Sequence, residues 1–462
     1  MTTALAAGGS GHAGVMRYVA DAVVPCDEGG RVLRPGTVEV SGGIITAVGP
    51  VGPVDDRAPD ATDVQEIRVH GALLPGLVNV HCHSPMTLFR GTGENLSLHR
   101  WLNDVLWPRE ANLTEEDVYW GMTLAAAELL CFGVTTTCEA YFFEDALADA
   151  VLAAGSRAVI TPGVLQLPGK ATPADTASGE DWWEARTAEI VDFHARRHGE
   201  DDRIEVGFAP HAAYTVPVPV LADVAGEARR LDALFHIHLA ETEEEGIRFV
   251  AEHGDSVPVV LAEAGVFGGR VLAAHSIWLS AEDLAVYRSH DLAVAHCPQS
   301  NAKLASGMAP LVELLAQGTR VGLGTDGPAS NNDLDLWEEM RLAAMLARIR
   351  ERDAAALPAA TALDLATRGA GLALGRPDLG VLAVGARADM LAVTLDDPAF
   401  VPLLEDAQLI EHLVWSASSR LVTDVWVGGR QVVEAGRCLT VDVDEARHQV
   451  EARAHRLERA GR

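Results

Sequence analysis

The stretch LLPGLVNVHCH, residues 73–83, decides the fold, because it has the pattern of a buried strand that ends in two histidines. Side chains alternate along a strand with period two, so His81 and His83 point the same way. Two adjacent imidazoles, together with a third imidazole and a carboxylate, form a set of ligands that suits a divalent first-row metal such as zinc. This stretch therefore predicts a strand that carries part of a metal site, which is typical of a hydrolase.

Other strand-like runs also end in side chains that bind metals or move protons. His211, His238, His275 and Asp326 each close such a run, and Glu241 follows His238 by three residues. Helical patterns separate eight runs in all, at residues 73–80, 134–139, 157–163, 205–210, 234–240, 271–275, 292–297 and 320–326. Eight β-then-α units over roughly 300 residues predict a (β/α)8 barrel, whose active sites lie at the C-terminal strand ends. The barrel would gather all these side chains in one site.

Short β-like segments separated by turns flank the barrel region on both sides. We predict from them a small β-sandwich built from residues 15–70 and 380–440, with the barrel over residues 71–379. The first 14 residues have the composition of a flexible tail, and residues 441–462 are predicted to form a charged surface helix. The predicted fold class is therefore α/β, a TIM-like barrel with a β-sandwich made from the N- and C-terminal segments.

Composition and charge exclude several classes of partner. The chain has 462 residues, of which 66 are acidic and 36 basic, and its formal net charge is −30. Such a surface repels phosphate backbones and anionic lipid, so neither nucleic acid nor membrane is an expected partner.

No apolar run approaches the ~20 residues of a membrane span, and no signal-peptide pattern is present. Six cysteines without a Cys-x-x-Cys pair are typical of reduced thiols, so we expect a cytoplasmic protein.

Each candidate residue has a simpler explanation when it is considered alone. His81 and His83 could be unrelated surface histidines, and Asp326 could cap the helix that follows it. His275 could be a hydrogen-bonded histidine of the barrel. His236 could share the strand face of His238, but its simpler explanation is a histidine that does not touch the site. Their common position at the ends of predicted strands favours one shared site over these separate explanations.

Five segments resemble the amidohydrolase superfamily, and within it the S-adenosylhomocysteine/5-methylthioadenosine deaminase branch, which is close to the triazine hydrolases. They are PGLVNVHCHSPMTLFRG, HIHLAET, AAHSIWL, HCPQSNAKLASGMAP and GLGTDGPASNNDLDLWEEMRLA. The resemblance runs from about residue 17 to residue 435. It implies a metal-dependent deaminase on a barrel fold.

The resemblance also implies roles for individual residues. The expected ligands of one metal are His81, His83, His238 and Asp326. The residues expected to handle protons are Glu241, His275 and Asp326. Relatives with two metals bridge them with a carboxylated lysine, but this chain has only Lys170 and Lys303, and neither ends a predicted strand. One divalent metal per chain is therefore expected, either zinc or iron.

The substrate implied by the resemblance is an adenine nucleoside of the adenosine, 5′-deoxyadenosine, methylthioadenosine or S-adenosylhomocysteine type. Glu110 matches a glutamate that grips the ribose hydroxyls, and His211 matches a histidine that contacts the nucleoside. Further substrate contacts are expected from Trp107, Ser300 and Asn301. The predicted products are the inosine analogue and ammonia. The alternative substrate is another amino- or halo-substituted heterocycle, such as a triazine or a guanine-like base.

One position departs from the pattern of the relatives that accept S-adenosylhomocysteine. Those relatives carry an arginine at the end of the third strand, which binds the carboxylate tail, whereas this chain has Pro162 there. Lys170, in the loop beyond, is the cation that could replace the arginine. We therefore expect small or uncharged 5′ groups to be accepted at least as well as a homocysteine tail. Besides this small molecule, the expected partners are further copies of the chain in a homo-oligomer.

Overall fold

A computed structural model of the protein describes residues 14–51, 64–166 and 182–461. The predicted tail, apart from Gly14, and the candidate cation Lys170 lie outside the described residues. No helix in the described part of the chain is long and apolar enough to cross a membrane.

Strands and helices alternate through the middle of the chain, and further strands come from its two ends. The strands are β1 (Val15–Val23), β2 (Gly36–Ser41), β3 (Ile44–Pro50), β4 (Val64–Pro75), β5 (Leu77–Cys82), β6 (Val134–Glu139), β7 (Arg157–Ile160), β8 (Gly163–Val164), β9 (Ile204–Val206), β10 (Ala209–Pro210), β11 (Phe235–Leu239), β12 (Val271–His275), β13 (Ala293–His296), β14 (Arg320–Leu323), β15 (Met390–Val393), β16 (Val422–Val427), β17 (Arg430–Glu434) and β18 (Arg437–Cys438). The α-helices are α1 (Leu98–Arg100), α2 (Trp107–Glu110), α3 (Glu115–Cys131), α4 (Glu144–Ala154), α5 (Trp182–Arg197), α6 (Val218–Arg230), α7 (Glu243–His253), α8 (Val257–Glu263), α9 (Ala281–Ser289), α10 (Pro298–Lys303), α11 (Leu311–Ala316), α12 (Leu336–Glu351), α13 (Ala359–Ala366), α14 (Arg368–Ala373), α15 (Asp406–Trp415) and α16 (Val443–Ala460).

Eight parallel strands form the TIM-barrel arrangement that the alternating pattern predicted. They make two four-stranded sheets, in the orders β5-β6-β7-β9 and β11-β12-β13-β14. Single parallel bridges join the two sheets, one between Cys82 and Asp326 and one between Phe208 and Phe235. In the described ranges the strand ladders therefore do not close continuously, and isolated bridges connect the two halves of the barrel.

The first barrel strand begins later than the sequence pattern predicted. The predicted strand over residues 73–80 combined the end of β4, which belongs to an outer sheet, with the start of β5. Gly76 lies between them, and its amide donates to the carbonyl of Asp389 at 2.8 Å. A Cβ atom on Gly76 would lie 2.2 Å from Oγ1 of Thr135, so only glycine fits where the chain changes sheet.

The outer sheet contains eight strands, in the order β18-β17-β16-β15-β4-β1-β2-β3. Its centre is the antiparallel pairing of β4 with β15, in which Pro75 lies opposite Met390. Tyr18 and Trp426 pack edge to face within its core, with ring centroids 5.3 Å apart. Strands from both ends of the chain thus pair, but as one connected sheet, so a two-layer sandwich is not confirmed.

The last helix, α16, packs onto the barrel although its sequence is highly charged. Its Val450 and Leu457 are buried. Arg456 of α16 bonds the carboxylate of Asp117 near the start of α3. Val450 and Leu457 form an apolar stripe on one face of α16. Burial of this stripe explains why the helix, which was predicted to lie on the surface, packs against the barrel.

A buried ion pair joins the barrel to the outer sheet. Nε of Arg157, the first residue of β7, lies 2.9 Å from Oδ2 of Asp389, and both side chains are only 3% exposed. Oδ1 of Asp389 accepts a further hydrogen bond from the amide of Gly428 at 2.7 Å. Removing one member of such a pair leaves an uncompensated buried charge.

Asp389→Ala should therefore lower the free energy of unfolding by about 3–5 kcal/mol. Urea unfolding followed by tryptophan fluorescence measures this change. Arg248→Ala is the matched control, because Arg248 pairs with Glu244 in solvent and its loss should cost less than about 1 kcal/mol. Equal losses in the two variants would contradict the structural role of the buried pair.

Candidate metal centre and active site

The ends of four barrel strands place the candidate side chains around one point at the barrel rim. His81 lies in β5, and His83 follows that strand directly. His238 lies in β11, His275 ends β12, and Asp326 follows shortly after β14. Because the barrel strands are parallel, their C-terminal ends share one rim, and residues from distant parts of the chain meet there.

Nitrogen and oxygen atoms converge closely enough at this rim to hold one ion. Nε2 of His81 and Nε2 of His83 lie 3.4 and 3.2 Å from Oδ1 of Asp326. Nε2 of His238 lies 3.3 Å from Nε2 of His83. Zinc–ligand bonds of about 2.0–2.1 Å in a tetrahedron place neighbouring ligand atoms about 3.3 Å apart. The observed spacing therefore fits a zinc-sized ion. His275 also lies close, since its ligand atom is within 4.8 Å of those of His81 and His238.

Hydrogen bonds orient the imidazoles toward this point. Nδ1 of His83 lies 2.5 Å from the carbonyl oxygen of Ala140, and Nδ1 of His238 lies 2.9 Å from that of His211. A carbonyl only accepts, so Nδ1 carries the proton and Nε2 keeps its lone pair. Nε2 of His81 is buried without a hydrogen-bond partner, a cost that a bond to a metal removes.

Burial keeps two of the imidazoles in the form that binds metals, whereas at His83 the neighbouring Asp326 carboxylate outweighs burial and raises the pKa. It lowers the pKa of His81 to about 4, against a smaller opposing effect of the Asp326 carboxylate. Burial, together with the neighbouring imidazoles, holds the pKa of His238 well below its usual range. Both side chains are therefore neutral at physiological pH, as a metal ligand must be.

Asp326 is a buried carboxylate surrounded by donors. Ser300 and Ser330 donate hydroxyl hydrogen bonds to its Oδ2 at 2.6 and 3.0 Å, and the amide of Gly327 donates to its Oδ1 at 2.9 Å. Burial opposes its ionisation, but the two neighbouring histidines outweigh burial and hold the pKa of Asp326 well below its usual range. Asp326 is thus ionised and able to bind a metal or accept a proton.

Glu241 is a second buried carboxyl group with the opposite behaviour. Burial, with repulsion from Asp326, raises the pKa of Glu241 to about 8, so it is protonated at neutral pH. Its Oε2 lies 3.7 Å from Nε2 of His275. Nδ1 of His275 in turn lies 2.8 Å from Oδ1 of Asn301, which holds the imidazole in place. The site therefore offers an acid, Glu241, beside a base, Asp326.

The backbone at this rim is strained. Ala240, His275, Ser276 and Asp326 have positive φ values of 53°, 72°, 52° and 60°. Non-glycine residues in this left-handed region cost about 1–3 kcal/mol each and occur preferentially at functional sites. The strain is therefore further support for a site at this rim.

A cavity opens onto three of the candidate metal ligands, His83, His238 and Asp326. Glu110 lies in its wall, and Oη of Tyr141 donates a hydrogen bond to Oε1 of Glu110 at 2.9 Å. Burial raises the pKa of Glu110 to about 7. Trp107 and His211 line the cavity with their rings edge to face, 6.1 Å between centroids. Apolar side chains complete much of the wall, among them Leu98, Trp101, Leu102, Leu106, Phe142 and Leu165.

Two predicted substrate contacts lie elsewhere. Ser300 and Asn301 are buried in α10 and do not line this cavity; they bond Asp326 and His275 instead. Both residues lie in the first turn of α10, which follows β13. Their side chains there contact Asp326 and His275, which lie at the rim. The structure therefore shows both residues supporting Asp326 and His275, and a contact with substrate stays a prediction.

Sequence reasoning did not identify Tyr141 or Ser330 as parts of the site. Tyr141 comes two residues after the end of β6, so its position at a strand end was an available signal. Ser330 follows Asp326 in a turn, and its hydroxyl reaches the carboxylate only through the turn geometry. Such a local contact has no pattern that can be read along the chain.

Comparisons with known proteins agree with this geometry. The amidohydrolase family matches residues 72–432. A 5-methylthioadenosine/S-adenosylhomocysteine deaminase of Desulforudis audaxviator (strain MP104C) is 41% identical over 429 residues, which are 91% of this chain and 95% of that protein. A deaminase of the same name from Dictyoglomus thermophilum is 39% identical over 83% of this chain and 87% of its own length.

Solved structures extend the comparison. The crystal structure of an adenosine deaminase from Xanthomonas campestris with bound zinc has a TM-score of 0.88 and 36% identity, covering 96% of this chain and 98% of that one. The zinc complex of an atrazine chlorohydrolase from Arthrobacter aurescens TC1 has a TM-score of 0.84 at 23% identity over 95% and 100% of the chains, a likeness of fold alone. Because a family match over most of its length coincides with a His and Asp cluster at the rim of the barrel, this chain belongs to the amidohydrolase family.

Proposed function

We propose that this chain is a zinc-dependent hydrolase that deaminates an adenine nucleoside to the inosine analogue and ammonia. The observation that carries the proposal is one cavity lined by Glu241, Asp326 and several imidazoles, those of His83, His238 and His275 among them. Burial raises the pKa of Glu241, whereas neighbouring histidines hold the pKa of Asp326 low, so an acid lies beside a base. The names of the similar deaminases, which act on 5-methylthioadenosine and S-adenosylhomocysteine, support this substrate class.

The proposed metal ligands are His81, His83, His238 and Asp326. Three distances between their ligand atoms, 3.4, 3.2 and 3.3 Å, support a four-coordinate zinc site, and iron is the alternative ion. A zinc ion in such a site lowers the pKa of a water molecule from about 15.7 toward 7, which makes hydroxide available at neutral pH.

Three side chains are proposed to orient the attacking water and to move the protons. Asp326 accepts one proton of the attacking water, and His275 orients that water through Nε2. Glu241 protonates the ring nitrogen beside the attacked carbon, which makes the carbon more electrophilic. The C–O bond forms, the proton held by Asp326 passes to the amino group, and the C–N bond breaks to release ammonia. The second proton of the water restores the acid form of Glu241, so atoms and protons balance.

Glu110 is proposed to bind the ribose. Tyr141 donates to Oε1 of its carboxyl group, which leaves Oε2 for the substrate hydroxyls. A buried carboxyl group gains most from such partners because burial has removed its water. His211 and Trp107 line the same cavity and are proposed to contact the nucleoside.

The walls of the cavity favour a small, uncharged 5′ group. In the described parts of the chain, no lysine or arginine lines the cavity. A homocysteine carboxylate placed among apolar side chains would lose water without gaining a counter-charge. The resemblance also implies that Pro162 replaces an arginine of relatives that accept S-adenosylhomocysteine. A contact from Lys170 is the competing hypothesis, which the substrate comparison below tests.

A small-molecule substrate is the partner that this proposal requires. Assembly into a homo-oligomer and a cytoplasmic location stay predictions from the sequence. Light scattering on the eluting peak of a size-exclusion column tests the first of these.

We expect about one zinc or iron ion per chain in purified protein. Asp326→Ala should lose both the metal and the activity, because it removes the charged ligand. Elemental analysis of protein and variant measures the metal, and ammonia release measures the activity. Two metal equivalents in active protein, or full activity after exhaustive chelation, would contradict a single catalytic ion.

Glu241→Gln should keep its metal and lower kcat at least ~100-fold, because glutamine has a similar shape but cannot deliver a proton. In the unsubstituted protein kcat/KM should decrease with rising pH as Glu241 loses its proton. This decrease should be centred at or below pH 8, since burial raises its pKa to about 8 and a bound cation favours the carboxylate. Near-normal turnover in Glu241→Gln would show that another group is the acid.

Glu110→Gln should lower kcat/KM for nucleosides roughly 10- to 100-fold, the value of a hydrogen bond to a charged group. Its kcat/KM for free adenine should stay unchanged, because adenine has no ribose. Steady-state kinetics on both substrates give the comparison. A triazine or free adenine that outperforms every nucleoside in the unsubstituted protein would overturn the role of Glu110 and favour the alternative heterocycle.

The 5′ group is tested with 5′-deoxyadenosine, methylthioadenosine and S-adenosylhomocysteine. We expect the first two to have kcat/KM values at least equal to that of the third. Lys170→Ala separates the competing explanation, because it should lower kcat/KM only for S-adenosylhomocysteine if Lys170 binds the tail. A strong preference for S-adenosylhomocysteine that survives Lys170→Ala would refute both explanations.

A further inference from the structure

We propose that His236 is a positioning residue that holds His81 in the tautomer able to bind the metal. His236 lies in β11, two residues before His238, and is 1% exposed. It does not line the cavity. The inference rests on the proposed metal site, and it assigns a residue that acts on the site only through His81.

The contact between the two imidazoles is short and directional. Nδ1 of His81 lies 2.8 Å from Nε2 of His236, and the rings are nearly perpendicular, at 84°. The other nitrogen of His81, Nε2, has no hydrogen-bond partner and lies 3.4 Å from Oδ1 of Asp326. The bond to His236 therefore occupies the side of the ring that faces away from the candidate metal ligands.

The hydrogen bonds beyond His236 give this contact a consistent direction. Oγ1 of Thr161 lies 2.9 Å from the carbonyl oxygen of Glu139, which can only accept, so the hydroxyl donates there. The same oxygen lies 3.1 Å from Nδ1 of His236 and can accept from it. With its proton on Nδ1, His236 accepts at Nε2 from the Nδ1 proton of His81. His81 then keeps the Nε2 lone pair that a metal requires.

His81 differs in this respect from the other two imidazole ligands. His83 and His238 donate to backbone carbonyls of Ala140 and His211, which cannot act as donors. Their tautomers are therefore set by the main chain, and no side-chain substitution can reverse them. The partner of His81 is an imidazole, which can donate or accept, so the side chain at position 236 decides the tautomer of His81.

Two substitutions at position 236 separate hydrogen bonding from packing. His236→Gln retains an oxygen that accepts from Nδ1 of His81, whereas His236→Met fills a similar volume without a comparable acceptor. Zinc affinity is measured by competition with a chelator, and the geometry of the site by the visible absorption of the cobalt-substituted protein. We expect His236→Met to bind zinc about 10- to 100-fold more weakly and to have an altered cobalt spectrum. His236→Gln should remain within a few-fold of the unsubstituted protein.

A variant one step further away and a matched control complete the test. Thr161→Val removes the nearer acceptor for Nδ1 of His236 and leaves only the weak partner Sγ of Cys138, at 3.7 Å, so it should weaken zinc binding by a smaller factor than His236→Met. His296→Gln replaces another buried barrel histidine and should leave zinc affinity unchanged. Among the described residues, His296 has no hydrogen bond or ring contact with His81. Thermal unfolding of each metal-free protein reports any effect on packing.

Equal zinc affinities for His236→Met, His236→Gln and the unsubstituted protein would overturn the proposal. Equal losses in the two variants, matched by equal losses of metal-free thermal stability, would also overturn it, because packing would then explain them. If either variant fails to fold, Thr161→Val with unchanged zinc affinity would still refute the chain of hydrogen bonds. An unsubstituted protein that binds no zinc, iron or cobalt would instead contradict the proposed function itself.

Discussion

One parallel contact, between the first and last strands of the barrel, makes the rest of the site possible. The amide of Asp326 donates to the carbonyl of His81 at 3.0 Å, and Cys82 pairs with Asp326 across the same seam. Gly324 permits this approach, since a Cβ atom there would lie 2.7 Å from Cβ of His81. The contact sets a carboxylate beside two imidazoles that are far away along the chain. Its loop-closure entropy is offset by the burial of the apolar strands between them.

Burial then decides the chemistry of these side chains, since no lysine or arginine among the described residues lines the cavity. The imidazoles of His81 and His238 are held neutral and Glu241 is held protonated. Asp326 remains ionised because serine hydroxyls, an amide and two histidines surround it. One environment thus separates two carboxyl groups into an acid and a base. A divalent cation supplies positive charge to this group of side chains. That charge explains how the metal ligands and the acid Glu241 can lie at one rim of the barrel.

Parts of the fold away from the rim hold this arrangement in place. The ion pair between Arg157 and Asp389 fixes β7 against the outer sheet. The last helix reaches the cavity wall, because Glu458 bonds Arg109, the neighbour of Glu110, at 2.6 Å. Strained backbone at His275 and Asp326 persists only where surrounding contacts oppose its relaxation. Stability and the geometry of the site therefore depend on the same packing.

The amino-acid sequence by itself determined the α/β barrel class and the set of residues at its rim. Strand periodicity and terminal histidines, as in residues 73–83, are local properties, and parallel strands necessarily bring their C-terminal ends together. The local pattern placed the start of the first strand wrongly, because the mostly apolar pattern of residues 73–75 continues through residues 77–80 and only pairing with β15 separates them. It also could not show that both chain ends form one connected sheet, since the order of strands depends on contacts between distant segments.

Only the tertiary structure decided which side chains support the rim rather than face the cavity. Ser300 and Asn301 have the composition of a binding segment, yet α10 turns them onto Asp326 and His275. Tyr141 becomes the partner of Glu110 through a contact between a strand end and a distant helix. Whether such a hydrogen bond forms depends on differences of a few tenths of an ångström in the distance between two atoms. Those atoms belong to residues far apart in the chain. Sequence therefore determined the chemical groups available, and packing determined which atoms meet.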